Sequence, residues 1–169
     1  MLAPGHVVVG MTTYMGLSAF YGHNPSVFDY TAVFLGSLLP DIDHPYSRVG
    51  KTFPRISATI AGMFGHRGFT HSLLAIILFT AILMQTMESA GQTTPSTVLA
   101  ALCFGYLSHV LADFCTHAGI PLLWPYRRRW KNGNERGYRL PLFHFTTGGT
   151  FEYAFTTALA LLLAYNWVY

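Results

Sequence analysis

The chain has 169 residues, of which 51% are hydrophobic, 15% aromatic and only 10% charged. Soluble domains carry about 25% charged residues, so this composition argues against a fully solvated protein and for one embedded in lipid. The net charge of +3 tells less than its placement. Arg48, Lys51, Arg55 and Arg67 form one basic stretch, Arg127, Arg128, Arg129, Lys131, Arg136 and Arg139 form the other, and everything else is free of Lys and Arg.

The length suits one core and no polar linker divides the chain, so residues 1–169 are expected to form a single membrane-embedded domain. The opening Met1-Leu2-Ala3-Pro4-Gly5-His6 lacks the basic stretch of a secretory signal, and the first apolar segment is expected to be retained. Apolar segments lie at about residues 5–21, 27–39, 72–87, 97–112 and 151–168. A full crossing needs about 20 apolar residues, with a range near 17 to 25. The last three segments suit that length and the first two are short. The first also carries Gly10, Thr12, Thr13, Gly16 and Ser18, which favour close helix contact but lower hydropathy. Pro40 ends the second segment, Thr70 or Ser72 can cap the third, and Ser96 or Thr97 the fourth. Residues 121–149 suit an irregular loop at the lipid surface, with Trp124, Tyr126, Trp130 and Tyr138 as interfacial rings. Cys103 and Cys115 have no CxxC spacing and are expected to be free thiols.

If all five segments cross, the loops 41–70 and 113–150 share a side with the amino terminus. The connections 23–26 and 89–96, which have no Lys or Arg, face the other way. The positive-inside rule puts the two basic loops in the cytoplasm. The expected fold is an all-α helical transmembrane bundle of about four to five membrane helices, multi-pass in the inner (cytoplasmic) membrane.

Three polar clusters break the apolar pattern: Asp41-Ile42-Asp43-His44, His66-Arg67-Gly68-Phe69-Thr70-His71 and His109-Val110-Leu111-Ala112-Asp113, with His6 joining from the first segment. His109 and Asp113 are spaced i, i+4 and share a helix face, which is chelating geometry. Imidazole and carboxylate suit Zn²⁺ or Mn²⁺. Each cluster has an ordinary explanation when taken alone. Asp41 and Asp43 can be turn formers, His109 and Asp113 a helix-surface pair, His66 and His71 interfacial histidines, and His6 structural. Together they all fall at one membrane face, where ionisable groups need partners.

Gly5-His6, Leu38-Leu39-Pro40-Asp41-Ile42-Asp43-His44-Pro45, Gly65-His66-Arg67-Gly68-Phe69-Thr70-His71-Ser72, Gly105 to Asp113 and Ala118 to Pro125 closely resemble the LexA-regulated inner-membrane family of metal-dependent hydrolases. The likeness runs from about Gly5 to Glu152. That family is distantly related to the all-helical zinc phospholipases C and to single-strand nucleases. The resemblance implies two or three zinc ions at the cytoplasmic helix ends, cleaving a phosphate ester. By resemblance His6, Asp41, His71, His109 and Asp113 form the ligand set, with Asp43, His44, His66 and Glu152 as further or supporting ligands. His117 and His144 are not required by the family pattern.

The leading expectation is therefore a membrane-bound phosphoesterase in which a zinc-bound water, its pKa lowered to about 7, attacks the ester. Asp43 or His44 would orient that water or take its proton, and Arg67 would meet a phosphate with its planar fork. Candidate substrates are a phospholipid, a lipid-linked phosphate or nucleic acid. The basic run Arg127-Arg128-Arg129 suits anchoring to anionic headgroups. A divalent-metal transporter or sensor of the inner membrane is the alternative, and a purely structural membrane protein is a third reading.

Overall fold

A computed structural model describes residues 1–65, 67–91, 96–126, 128–129, 135–141 and 144–168. The chain forms helices α1 (Ala3–Phe20), α2 (Val27–Gly36), α3 (Arg48–Thr52), α4 (Pro54–Phe64), α5 (Leu73–Ser89), α6 (Thr97–Phe114) and α7 (Thr150–Val168). A two-residue antiparallel pair, β1 (Arg128–Arg129) with β2 (Glu135–Arg136), is set in the segment between α6 and α7. The protein is mostly helical, as its composition implies.

Local chemistry sets most of the helix boundaries. Pro4 lies in the first turn of α1, where the missing N–H is no loss. A capping box opens α2: Asp29 N donates to Ser26 Oγ at 3.2 Å, and Ser26 N donates to Asp29 Oδ2 at 2.8 Å. Pro40 lacks the N–H that would continue α2, and the chain tightens into a 3₁₀ turn over Leu39–Asp43. Ser72 caps α5 by accepting from Ala75 N, and Ser96 caps α6 by accepting from Leu99 N. The first basic loop, with no helix expected from its sequence, contains α3 and α4; the first is capped by Ser47 and the second is started by Pro54. After α6 the chain folds back through single bridges, Thr116 with Phe145 and Ile120 with Tyr138.

Helix α6 is the hub, packing against α1, α2 and α5, while α7 packs on α1. The α2–α6 crossing brings two backbones into direct contact. A Cβ on Gly36 would lie 2.2 Å from the Leu102 carbonyl oxygen, and one on Gly105 would lie 2.4 Å from the Val33 carbonyl oxygen. Gly10 brings α1 equally close to the Ser37 and Ser108 hydroxyls. Such small-residue contacts let helices approach where lipid offers no hydrophobic drive to pack.

Among the described residues α6 is the one helix long and apolar enough to cross a membrane, and α5 is a shorter apolar helix. Polar residues hold α1 below the mark, and the ten residues of α2 reach only about 15 Å, half the hydrocarbon thickness. The backbone contact predicts that Gly105→Val, which must push α2 away, lowers stability by about 1–3 kcal/mol. Gly16→Val, with open space around it, should do much less. Thermal unfolding of the detergent-solubilised variants checks this, and equal melting points would refute it.

Candidate metal centre

The helices bring chemistry to one end of the bundle: the start of α1, the turn after α2, the turn before α5 and the end of α6. His6, His109 and Asp113 form one group of mutually close donors, all buried, and Asp41, His71 and His109 form a second. His109 belongs to both. His71 Nε2 lies 3.2 Å from His109 Nε2, 3.6 Å separates His71 Nε2 from Asp113 Oδ2, and Asp41 Oδ1 lies 3.8 Å from His109 Nε2. The His6 ring stacks on His109 at 3.6 Å between centroids, 9° from parallel, with its Nε2 3.3 Å from Asp113 Oδ1.

The tautomers follow from the far sides of the rings. His109 Nδ1 lies 2.6 Å from the Ser37 carbonyl oxygen, which can only accept, so Nδ1 carries the proton. His71 Nδ1 lies 3.2 Å from Asp43 Oδ2 and is likewise the donor. In the neutral rings both Nε2 atoms are then lone pairs facing each other at 3.2 Å. Two lone pairs at that distance repel, and a cation placed between them would relieve that repulsion. His6 has neither ring nitrogen hydrogen-bonded among the described residues, although it is only 1% exposed. Asp113 Oδ2, by contrast, has the Arg67 guanidinium Nη2 as an ion-pair partner at 2.8 Å. Buried polar atoms without partners are uncommon and call for an explanation. Zn–N bonds of 2.0–2.1 Å put two imidazole nitrogens on one tetrahedral ion about 3.3 Å apart, close to the spacing found. The donor set fits a divalent ion.

A model of the YdjM inner membrane protein family matches residues 1–169. The chain belongs to that family. It is 49% identical over 100 residues to inner membrane protein YdjM of Escherichia coli strain K12, covering 59% of this chain and 50% of that protein. It is 31% identical over 165 residues to a Bacillus subtilis protein described as "Uncharacterized protein YvsG", covering 98% of this chain and 93% of the relative. The chain thus spans about half the length of the Escherichia coli relative it matches. No solved structure matches. Family membership implies association with a lipid bilayer; the names state no activity.

The other expected residues that are described lie outside both donor groups. Asp43 is fully buried, accepts from the Thr70 hydroxyl and faces His71 Nδ1. It stands behind a donor, not among the grouped donors. Glu152 accepts from Leu2 N at 2.6 Å and Gly148 N at 2.9 Å. It therefore ties the start of α1 to the start of α7 and lies outside both groups. His44 is half-buried with its ring edge-on to Tyr46. His66 lies outside the described residues. Arg67 has a left-handed backbone at φ 52°, which costs a non-glycine residue about 1 kcal/mol or more and aims its guanidinium at Asp113. The main-chain nitrogen of Met1 also touches Asp113.

Sequence reasoning missed three groups. The Ser37 carbonyl is free for His109 because the 3₁₀ turn sends Asp41 N to the Leu38 carbonyl instead. The Tyr106 hydroxyl donates to the Thr70 carbonyl at 2.5 Å and fastens the His71 turn to α6. Thr70 does not cap α5, a task that falls to Ser72, and instead donates its hydroxyl to Asp43. The only available signal was Pro40, which guarantees that α2 ends with carbonyls unpaired. Since the Asp43 carboxylate fixes the His71 tautomer, Asp43→Ala should weaken zinc affinity about 10–100-fold without removing a grouped donor. Competition against a zinc chelator measures the change, and unchanged affinity would exclude this orienting role.

Proposed function

We propose that the chain is an inner-membrane, metal-dependent hydrolase of phosphate esters, with its zinc-binding site facing the cytoplasm. The observation that carries the proposal is the facing pair of His71 and His109 Nε2 atoms, each with its other nitrogen tied to an acceptor. The resemblance to the zinc phospholipases C and single-strand nucleases supports a phosphate ester as substrate. His6, Asp41, His71, His109 and Asp113 would hold the metal, as one or more Zn²⁺ ions or Mn²⁺. When bound, such an ion supplies Lewis acidity and acidifies a water to a pKa of about 7.

The chain's own residues then have distinct tasks. Arg67, with a side chain 19% exposed and anchored on Asp113 at 2.8 Å, keeps its other N–H groups for a phosphate oxygen. Asp43 already faces the Thr70 hydroxyl and His71, so it suits orientation of His71 better than proton transfer. Asp41, with a side chain 17% exposed, is the more open of the two carboxylates and stays with the grouped donors. Because Asp113 is a grouped donor that also anchors Arg67, Asp113→Asn should lower turnover by about 100-fold, measured on zinc-loaded protein with phospholipid and single-stranded nucleic acid substrates. Equal turnover by the two proteins would end the hydrolase proposal.

The two basic loops support the cytoplasmic placement. With Cys103 and Cys115 replaced by Ser, Tyr46→Cys should react with an impermeant maleimide in inside-out vesicles only. Asn24→Cys should react in right-side-out vesicles only. The opposite pattern would invert the topology.

A further inference from the structure

An apolar groove of about 330 Å³ runs between α1, α6 and α7. Along α6 it is lined by Phe104, Leu107, Leu111 and Cys115, spaced so that all four share one helix face. From Phe104 to Cys115 the helix rises about 16 Å at 1.5 Å per residue. The groove therefore follows the one described helix fitted to cross a membrane. At one end it passes beside the donor cluster, none of whose residues lines it. Met1 lines it and touches Asp113 through its main-chain nitrogen, and the lining residues Ser108 and Ala112 directly precede His109 and Asp113.

We propose that this groove takes one acyl chain of a glycerophospholipid, laid along α6 with the phosphate end at the donor cluster and Arg67. The placement of the headgroup rests on the hydrolase reading above and gives it a substrate class. Chemistry selects the occupant. A phospholipid's two chemistries match the two parts of the site: hydrocarbon against Leu107, Leu111 and Phe155, and an anion against the Arg67 guanidinium. A second groove, between α1, α2 and α7, is lined by Met11, Tyr30, Leu163 and Trp167 and has no lining residue beside a donor. It serves as an internal control.

The test uses the full chain in phosphatidylglycerol vesicles doped with a phosphatidylglycerol carrying a photoreactive diazirine on one acyl chain. Adducts mapped by peptide mass spectrometry should concentrate on Leu107, Leu111, Phe151 and Phe155. Thr13→Trp fills the groove from α1, and excluding even two methylenes weakens binding about tenfold, so labelling there should fall by about that factor. Leu107→Trp provides the same test from α6 if the first variant does not fold. Ala160→Trp, in the control groove, should leave the labelling unchanged. Adducts spread evenly over both grooves, or insensitive to both filling variants, would overturn the proposal. Stronger displacement of the probe by a polyprenyl phosphate than by unlabelled phospholipid would overturn the choice of chain. Turnover of a soluble nitrophenyl phosphodiester by the zinc-loaded protein separates the two ideas. Groove labelling without that turnover sinks the hydrolase reading alone, and turnover without groove labelling sinks the groove alone.

Discussion

The site depends on how closely α2 and α6 approach. Gly36 and Gly105 leave no room for a Cβ between the two backbones, and that contact carries the carbonyl of Ser37 to within 2.6 Å of His109 Nδ1. A wider crossing would leave this carbonyl without its partner and free the His109 ring to rotate. The ring's other nitrogen would then no longer point at His71. Two glycines with no chemistry of their own thereby decide the tautomer and aim of the histidine shared by both donor groups.

The same logic extends outward through groups that never join the grouped donors. Tyr106 on α6 holds the Thr70 carbonyl, Thr70 holds Asp43, and Asp43 holds His71. Each link satisfies a buried polar group that would cost about 1–3 kcal/mol if left unpaired. The links run between α6, the turn after α2 and the turn before α5, so the polar network fastens the same elements that the glycines pack. Stability and orientation of the donors have one source. By contrast, the His6 ring nitrogens have no hydrogen-bond partner among the described residues, and the Nε2 atoms of His71 and His109 face each other.

Much of this was legible in the sequence. Helices α1, α2, α5, α6 and α7 follow from the five apolar segments, with Pro40, Ser72 and Ser96 among their boundaries, and the i, i+4 spacing of His109 and Asp113 put both on one face. The convergence of His6, Asp41, His71, His109 and Asp113 followed from up-and-down topology, since each sits at the same end of its segment. What periodicity does not reveal is the role of each carboxylate. Asp41 and Asp43 are two residues apart in a turn, and only the 3₁₀ geometry sends one toward His109 and the other behind His71. The helices α3 and α4 were also hidden, because α3 is only five residues long and α4, at eleven, is too short to read as a membrane span. Glu152 was singled out by resemblance, yet its carboxylate is taken up by two backbone N–H groups, a clamp that no spacing rule foretells.

The location of the donors also separates the competing uses of a membrane metal site. Transporters tend to hold ions near the bilayer midplane, on interrupted helices whose freed backbone carbonyls act as ligands. Here α5 and α6 are continuous, and the grouped donors are side chains at helix ends and in the adjoining turns. The grouped donors lie beside an apolar groove, and under the hydrolase proposal that pairing would suit a substrate whose reacting group belongs in water while the rest of it belongs in hydrocarbon.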